Sequence, residues 1–219
     1  YSSELKEVVE LYKKEKSPSS YIIDKYDYLF RCIHLELIRG LLSHIYILDV
    51  CRTAHRIAIS KGFCCRPEMT EAMDLSITGF VHPFTEGGRM NDWKMTNGNN
   101  ICILTGSNMA GKSTTLKAIT ISVWLAHCGL PVPARSMTSP VFDGIYTSIN
   151  LPDSLRDGRS HFMAEILRIK EVLQKAKSGK RCLIILDEMF RGTNAQDAFE
   201  ASIAVNELLR KYPHCSFLI

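Results

Sequence analysis

The chain has 219 residues, 46% hydrophobic and 23% charged, with 27 basic against 23 acidic side chains and a net charge of +4. That balance fits one sizeable soluble globular domain with an appendage, and excludes a disordered, collagen-like or membrane-embedded chain. It is too slight to mark a nucleic-acid surface by charge alone. The eight cysteines form no CxxC pair, so zinc ligands are not expected, and reduced thiols point to the cytoplasm. No signal peptide opens the chain, and no run approaches the ~20 apolar residues of a membrane span. Tyr1 in place of Met, and an ending HCSFLI that reads as a strand cut short, are expected of a piece of a longer protein.

From Ser2 to about Lys61 the pattern is helical, with Leu5, Val8, Val9 and Tyr12 at helix spacing before the break SPSS at 17–20. Two or three helices are expected. The run LLSHIYILDVCRTAHRIAISKG carries Leu41, Ile45, Leu48, Cys51, Ala54 and Ala58 along one face and stops at Gly62. After CCRPEM the character changes, and apolar runs of strand length alternate with amphipathic segments of helix length. Strands are expected at 101–105 (ICILT), 141–150 (VFDGIYTSIN), 181–188 (RCLIILDE) and in the closing CSFLI. Helices are expected from about Gly111 to Ala126, Ser160 to Ala176 and Ala195 to Leu209. Such alternation predicts an α/β fold, a mostly parallel sheet flanked by helices, with ligands beyond the carboxyl ends of the strands.

Between the first of these strands and its helix stands TGSNMAGKST, which fits GxxxxGK[ST] with Gly106, Gly111, Lys112 and Ser113 at the defining positions. The glycines let the backbone curl so that the amides of Gly106, Ser107, Asn108, Met109, Ala110 and Gly111 face inward as an anion nest. The helix N-terminus adds partial positive charge. Lys112 would reach β- and γ-phosphates and the Ser113 hydroxyl would ligate Mg²⁺. Downstream, CLIILDE is a buried strand presenting Asp187 and Glu188 at its carboxyl end. Asp187 would hold the metal, and Glu188 would polarise an attacking water as general base. A second carboxylate separates hydrolysis from nucleotide storage, which needs only the metal ligand.

TGSNMAGKST, SLRDGRSHFMAEI (154–166) and LDEMFRGTNAQDA (186–198) together resemble, in order and spacing, the ATPase domain of the MutS family of DNA mismatch-repair proteins, a branch of the ABC ATPase superfamily. The likeness runs from about Gly79 to Ile219, taking in His82–Pro83 and GLPVPA (129–134). More faintly it includes YILDV (46–50), similar to the helix returning from the family's lever and clamp. The resemblance implies a P-loop NTPase of ABC type over residues 66–219, truncated at its end, behind a helical segment over 1–65. It implies that Gly106, Asn108, Gly111, Lys112, Ser113 and Thr114 bind ATP and Mg²⁺, that Asp187 supports the metal and that Glu188 activates water.

Gly158, Arg159 and Ser160 match the signature segment that reaches across a dimer to the partner's nucleotide. Ser160 is also an N-cap type residue opening the helix HFMAEILRIKEVL, which would aim its hydroxyl and the helix terminus at a γ-phosphate. Arg191, Gly192, Thr193 and Asp197 match a segment at the family's dimer interface. The chain departs from the family at His161 (usually Thr), Phe190 (usually Gly), Asn194 (usually Ser) and Ala198 (usually Gly). Phe84 and Trp93 are both candidates for the ring that stacks on adenine. The family's switch histidine is expected beyond Ile219, with His214 at the wrong end of the last strand, so this stretch alone should hydrolyse ATP poorly. The implied partners are a second copy of the chain and mismatched DNA, the DNA bound through regions outside these residues, with no membrane segment. Branched DNA in recombination control, a nucleotide-gated scaffold without DNA action, and a small-molecule kinase are the other readings the residues leave open.

Overall fold

The computed structural model describes residues 6, 10, 13, 19–63, 65–85, 87–107, 109–149, 161–187, 189–190 and 194–219. The chain divides into two units, Tyr1–Thr53 and Ala54–Ile219. Helix α1 (Ser20–Tyr28) passes through a π-helical turn (Leu29–Ile33), closed by the His34 amide on the Leu29 carbonyl at 2.8 Å, into the long α2 (Leu35–Lys61). Gly62 ends α2 as its sequence predicts. At φ 71° it occupies the left-handed region, its N–H donates to the Ile59 carbonyl (3.2 Å), and the Phe63 N–H reaches back to Ala58 (2.7 Å). That pair of bonds is a Schellman stop, which satisfies carbonyls the helix would otherwise orphan. On the apolar face of α2, Ala58 is buried while Leu41, Ile45 and Leu48 are exposed.

The second unit holds two four-stranded sheets. One has the order β1–β5–β2–β3, from β1 (Glu68–Thr70), β5 (Ser136–Pro140), β2 (Leu75–Phe80) and β3 (Asn91–Met95); only its β1–β5 pair is parallel. The other has the order β4–β8–β7–β6, from β4 (Ile101–Cys102), β8 (Cys215–Leu218), β7 (Cys182–Leu186) and β6 (Gly144–Ser148), and every pair is parallel. Helices α3 (Lys112–His127), α4 (His161–Lys177) and α5 (Ala195–Leu209) complete the unit. The expectation of one mostly parallel sheet is therefore corrected: the parallel sheet is present, and a largely antiparallel one stands beside it. The strand expected over 141–150 shrinks to β6. The one expected over 101–105 shrinks to β4, although the Leu104 N–H still reaches the Ile219 carbonyl at 2.6 Å.

β7 shows why the parallel sheet reads so clearly in the sequence. All five of its residues, CLIIL, are buried, and they alternate between two cores. Leu183 and Ile185 join Leu116, Ile119 and Val123 of α3 and Leu75, Ile77 and Met137 of the first sheet. Cys182, Ile184 and Leu186 join Ile169, Val172 and Ala176 of α4 and Val205 and Leu209 of α5. A strand covered on both faces must be apolar at every position, and each fully buried Leu or Ile contributes about 1.5–3 kcal/mol. The β2–β3 pair instead carries a bulge between Ile77 and Phe80, where Gly79 sits at φ 61° and donates its N–H to Asp92 Oδ1 at 2.7 Å. A Cβ there would also lie 2.7 Å from Cδ of the flexible Arg135 side chain, which would have to move, so the left-handed conformation is the stronger reason for glycine.

His127 closes α3 onto the β5–β6 connection. Its Nδ1 bonds the Val123 carbonyl at 2.8 Å, its Nε2 accepts the Phe142 N–H at 2.8 Å, and its ring stacks on Phe142 at 5.9 Å between centroids. Among the described residues, no helix is long and apolar enough to cross a membrane.

Candidate functional site

The loop from Ile103 to Gly111 leaves β4 at the carboxyl edge of the parallel sheet and delivers the chain into α3. Gly111, at φ 89° and ψ 14°, makes the left-handed step that aligns the helix start, which a side chain would oppose. Gly106 is not demanded sterically, since a Cβ on it would meet Ala110 Cβ at an ordinary 3.7 Å. Met109 is also left-handed, at φ 64°, and its side chain stands fully exposed. The Ala110 N–H donates to the Ser107 carbonyl at 3.2 Å. Lys112 folds its ammonium back over the loop, donating to the Gly106 carbonyl at 2.5 Å and the Ser107 carbonyl at 3.2 Å. The N-terminus of α3 has neither a side-chain cap nor an acid in its first turn. A helix start so open, beside a lysine and with Ser113 in its first turn, suits an anion.

The register places Asp187 at the same edge. Cys102 pairs with Leu218 and Leu218 with Ile185, so the residues that follow β4, β8 and β7 emerge side by side. Two strand spacings, about 10 Å, separate the loop from Asp187, whose N–H is fixed on the Ser148 carbonyl at 2.9 Å. No group of three or more His, Cys, Asp or Glu among the described residues could hold a metal. One carboxylate and one hydroxyl, with phosphate oxygens and water, is nevertheless the donor set Mg²⁺ ordinarily takes at nucleotide sites, so Asp187 and Ser113 fit it. Asn108, Gly158, Arg159, Ser160, Glu188, Arg191, Gly192 and Thr193 lie outside the described residues.

A cavity of about 330 Å³ opens against the start of α3, walled by Gly111, Thr114 and Thr115 on one side and by His82 and Arg89 of the β2–β3 connection and Asn91 at the start of β3 on the other. Sequence reasoning offered Phe84 of that connection as a ring for adenine and did not single out Arg89 or Asn91. Of the two aromatic candidates, Trp93 packs half-buried against the first core with its Nε1 buried and unpartnered. Phe84 is 84% exposed and stands beside the His82 ring, 6.0 Å between centroids, with its N–H on His82 Nδ1 at 3.3 Å.

The turn after β7 is anchored in an unusual way. Phe190, where glycine would be ordinary, is left-handed at φ 64° and only 2% exposed within the second core. Asn194 caps α5, its Oδ1 accepting the Asp197 N–H at 2.9 Å, while its Nδ2 donates to Asp197 Oδ2 at 2.7 Å. Asn194 is thus an ordinary side-chain N-cap for α5. Ala198 packs against the second core. His214 bonds the Ala176 carbonyl through Nε2 at 2.8 Å, at the amino edge of the sheet and away from the loop, as its sequence position predicts. The cysteines are free wherever described. Burial pushes the thiols of Cys65, Cys102 and Cys182 up, and that of Cys215 up to about 12.

A family model described as MutS domain V matches residues 102–219, just over half the chain. The chain is 39% identical over 170 residues to the DNA mismatch repair protein MutS of Granulibacter bethesdensis, covering 74% of this chain and 18% of that protein. It is 33% identical over 224 residues to the protein of the same name from Lactococcus lactis subsp. cremoris, covering 96% and 26%. With DNA mismatch repair protein msh3 of Botryotinia fuckeliana it shares 33% identity over 190 residues, covering 83% and 16%. The chain thus spans between 16% and 26% of the length of these relatives.

Proposed function

Because the chain belongs to the MutS family through its domain V, we propose that it is an ATP-binding and ATP-hydrolysing P-loop domain of ABC type, the nucleotide held with Mg²⁺ at the carboxyl edge of the parallel sheet. The observation that carries this reading is the uncapped start of α3 behind a glycine-rich loop, on the same sheet edge as Asp187. In it, the amides of Gly106, Ser107, Asn108, Met109, Ala110 and Gly111, with Thr114, cradle the phosphates. Lys112 gives up the Gly106 and Ser107 carbonyls for β- and γ-oxygens. Asp187 and Ser113 support the metal, which neutralises charge on the phosphates when bound. Glu188 is the general base. The cavity between α3 and the β2–β3 connection takes the nucleoside, with Phe84 free to cover the base.

Ser160 of a second copy completes each site, so that two chains close around two nucleotides. Hydrolysis then resets DNA binding by regions outside these residues, on mismatched DNA in repair or on branched DNA in recombination control. The test is ATP turnover by the intact protein with mismatched, branched and perfectly paired DNA of equal length at one salt concentration. Lys112→Ala should lower turnover about 10²–10³-fold, the scale of losing one preorganised donor. Turnover equal to the parent would refute the ATPase reading, and rates indifferent to every DNA would refute the coupling to DNA.

A further inference from the structure

Helix α4 buries a stripe at helical spacing, Glu165, Ile169, Val172 and Ala176. Three of the four are core residues of the second cluster, and the first is a carboxylate where the period calls for an apolar side chain. Glu165 is 9% exposed, and its Oε2 is buried with no hydrogen-bond partner. The nearest cation along the helix, Arg168, turns its guanidinium to Glu171 at 3.2 Å and to the Thr147 carbonyl at 3.0 Å. A buried carboxylate oxygen without a hydrogen-bond partner is destabilising, and such groups persist where a function retains them.

Its position follows from the register. Ala176 is level with His214 through their 2.8 Å hydrogen bond, one residue below the Cys182–Cys215 pair. Glu165 lies eleven residues back along α4, about 16 Å at 1.5 Å per residue. At about 3.3 Å per strand residue that is about five residues up the sheet, level with Leu186 and Asp187. Glu165 is therefore level with the end of β7, where Leu186 and the left-handed Phe190 enter the second core.

We propose that Glu165 is a positioning residue for hydrolysis: Oε2 accepts the backbone N–H of Met189, in the turn that follows Asp187, and so fixes that turn in its hydrolytic shape. The bond forms in the hydrolysis-competent arrangement and not on nucleotide binding itself. This inference rests on the ATPase reading above. It gives Glu165 a signature that a core residue lacks, since removing the carboxylate relieves an unsatisfied group in the resting fold while depriving the turn of its partner.

The experiment compares Glu165→Leu, Glu165→Gln and Lys112→Ala in the intact protein, measuring melting temperature, nucleotide affinity and single-turnover ATP hydrolysis. Glu165→Leu should melt higher than the parent, bind nucleotide within about twofold, and hydrolyse at least about tenfold more slowly. Glu165→Gln, which keeps an acceptor oxygen, should recover most of the rate. A Glu165→Leu protein as fast as the parent overturns the proposal, as does a Glu165→Gln protein slowed as much as Glu165→Leu. If Glu165→Leu does not fold, the carboxylate is needed for the fold and the stabilising prediction fails; the rate of Glu165→Gln then decides whether its oxygen also sets the turn. Lys112→Ala hydrolysing like the parent sinks the ATPase reading and this inference together, whereas a slow Lys112→Ala beside a fast Glu165→Leu sinks this inference alone.

Discussion

Replacing Phe190 by Gly and by Ala separates what the ring contributes from what the backbone costs. The ring is 2% exposed in the second core, so either substitution forfeits about 3–5 kcal/mol of packing. The backbone sits at φ 64°. A left-handed residue with a Cβ costs about 1–2 kcal/mol, a penalty glycine escapes. Glycine in turn brings a freer unfolded chain, worth about 0.5–1 kcal/mol against it. The packing loss is common to both, so the difference leaves Phe190→Gly more stable than Phe190→Ala by about 0.5–1 kcal/mol, the reverse of the usual order of these two residues. Urea unfolding of the parent and both variants, with midpoints compared at equal slope, reads this directly. An alanine variant as stable as the glycine variant, or more stable, would show that position 190 is not left-handed.

The thiols divide by burial. Cys182 and Cys215 should resist alkylation at pH 8 in the folded protein while exposed Cys32, Cys51 and Cys128 react, which mass spectrometry of the modified chain checks. Because the Cys215 thiol rises from 9.0 to about 12 on burial, the unfolded thiol ionises first. Its contribution is complete below pH 9 and is lost as pH climbs towards 12, so the parent should lose more stability over that window than Cys215→Ala; equal losses would count against the shift. His127→Ala orphans the Phe142 N–H and should cost about 1–3 kcal/mol in unfolding free energy, where an unchanged midpoint would mean that water replaces the ring.

The parts of the fold legible in the sequence are those where burial on two faces forces uninterrupted apolar runs. CLIIL and CSFL announce parallel strands because their alternate residues enter different cores. The first sheet gave no such signal. In β3, Asn91, Asp92 and Lys94 are exposed; in β2, Thr78 is exposed and Gly79 bulges; and β5 ends in Pro140. Each of these reads as turn or loop composition, and only pairing makes them strands, β3 with β2 as in Leu75 with Met95, and β2 with the distant β5 as in Ser76 with Thr138. Of the cavity wall from His82 to Asn91 only Phe84 was singled out and Arg89 and Asn91 were missed, since a binding surface on a connection cannot be seen before the strands it connects. The glycine-rich loop was legible because its chemistry is local, with strand, glycines, lysine and helix contiguous. Glu165 was hidden within an amphipathic helix, where one acid among apolar positions looks like an irregularity until the helix is seen to bury it.

Two non-glycine residues, Met109 and Phe190, are left-handed at the same φ of 64°, and both stand at the carboxyl edge of the parallel sheet. Backbone strain of this kind persists only where the surroundings over-determine it, and the two surroundings differ. Met109 is fully exposed, so nothing packs on its side chain; its loop is held by the Lys112 bonds to Gly106 and Ser107 and by the Ala110 N–H on Ser107. Those bonds are polar and exchangeable, and a phosphate offered to Lys112 would compete for them directly. Phe190 is held by aromatic burial, which no ligand at the sheet edge can replace. The loop is therefore the half of the site free to change shape around a nucleotide. The turn carrying Asp187 is anchored at Phe190 by the core, so a change of shape there has to come from a hydrogen bond made within the fold, such as the one Glu165 Oε2 has yet to make.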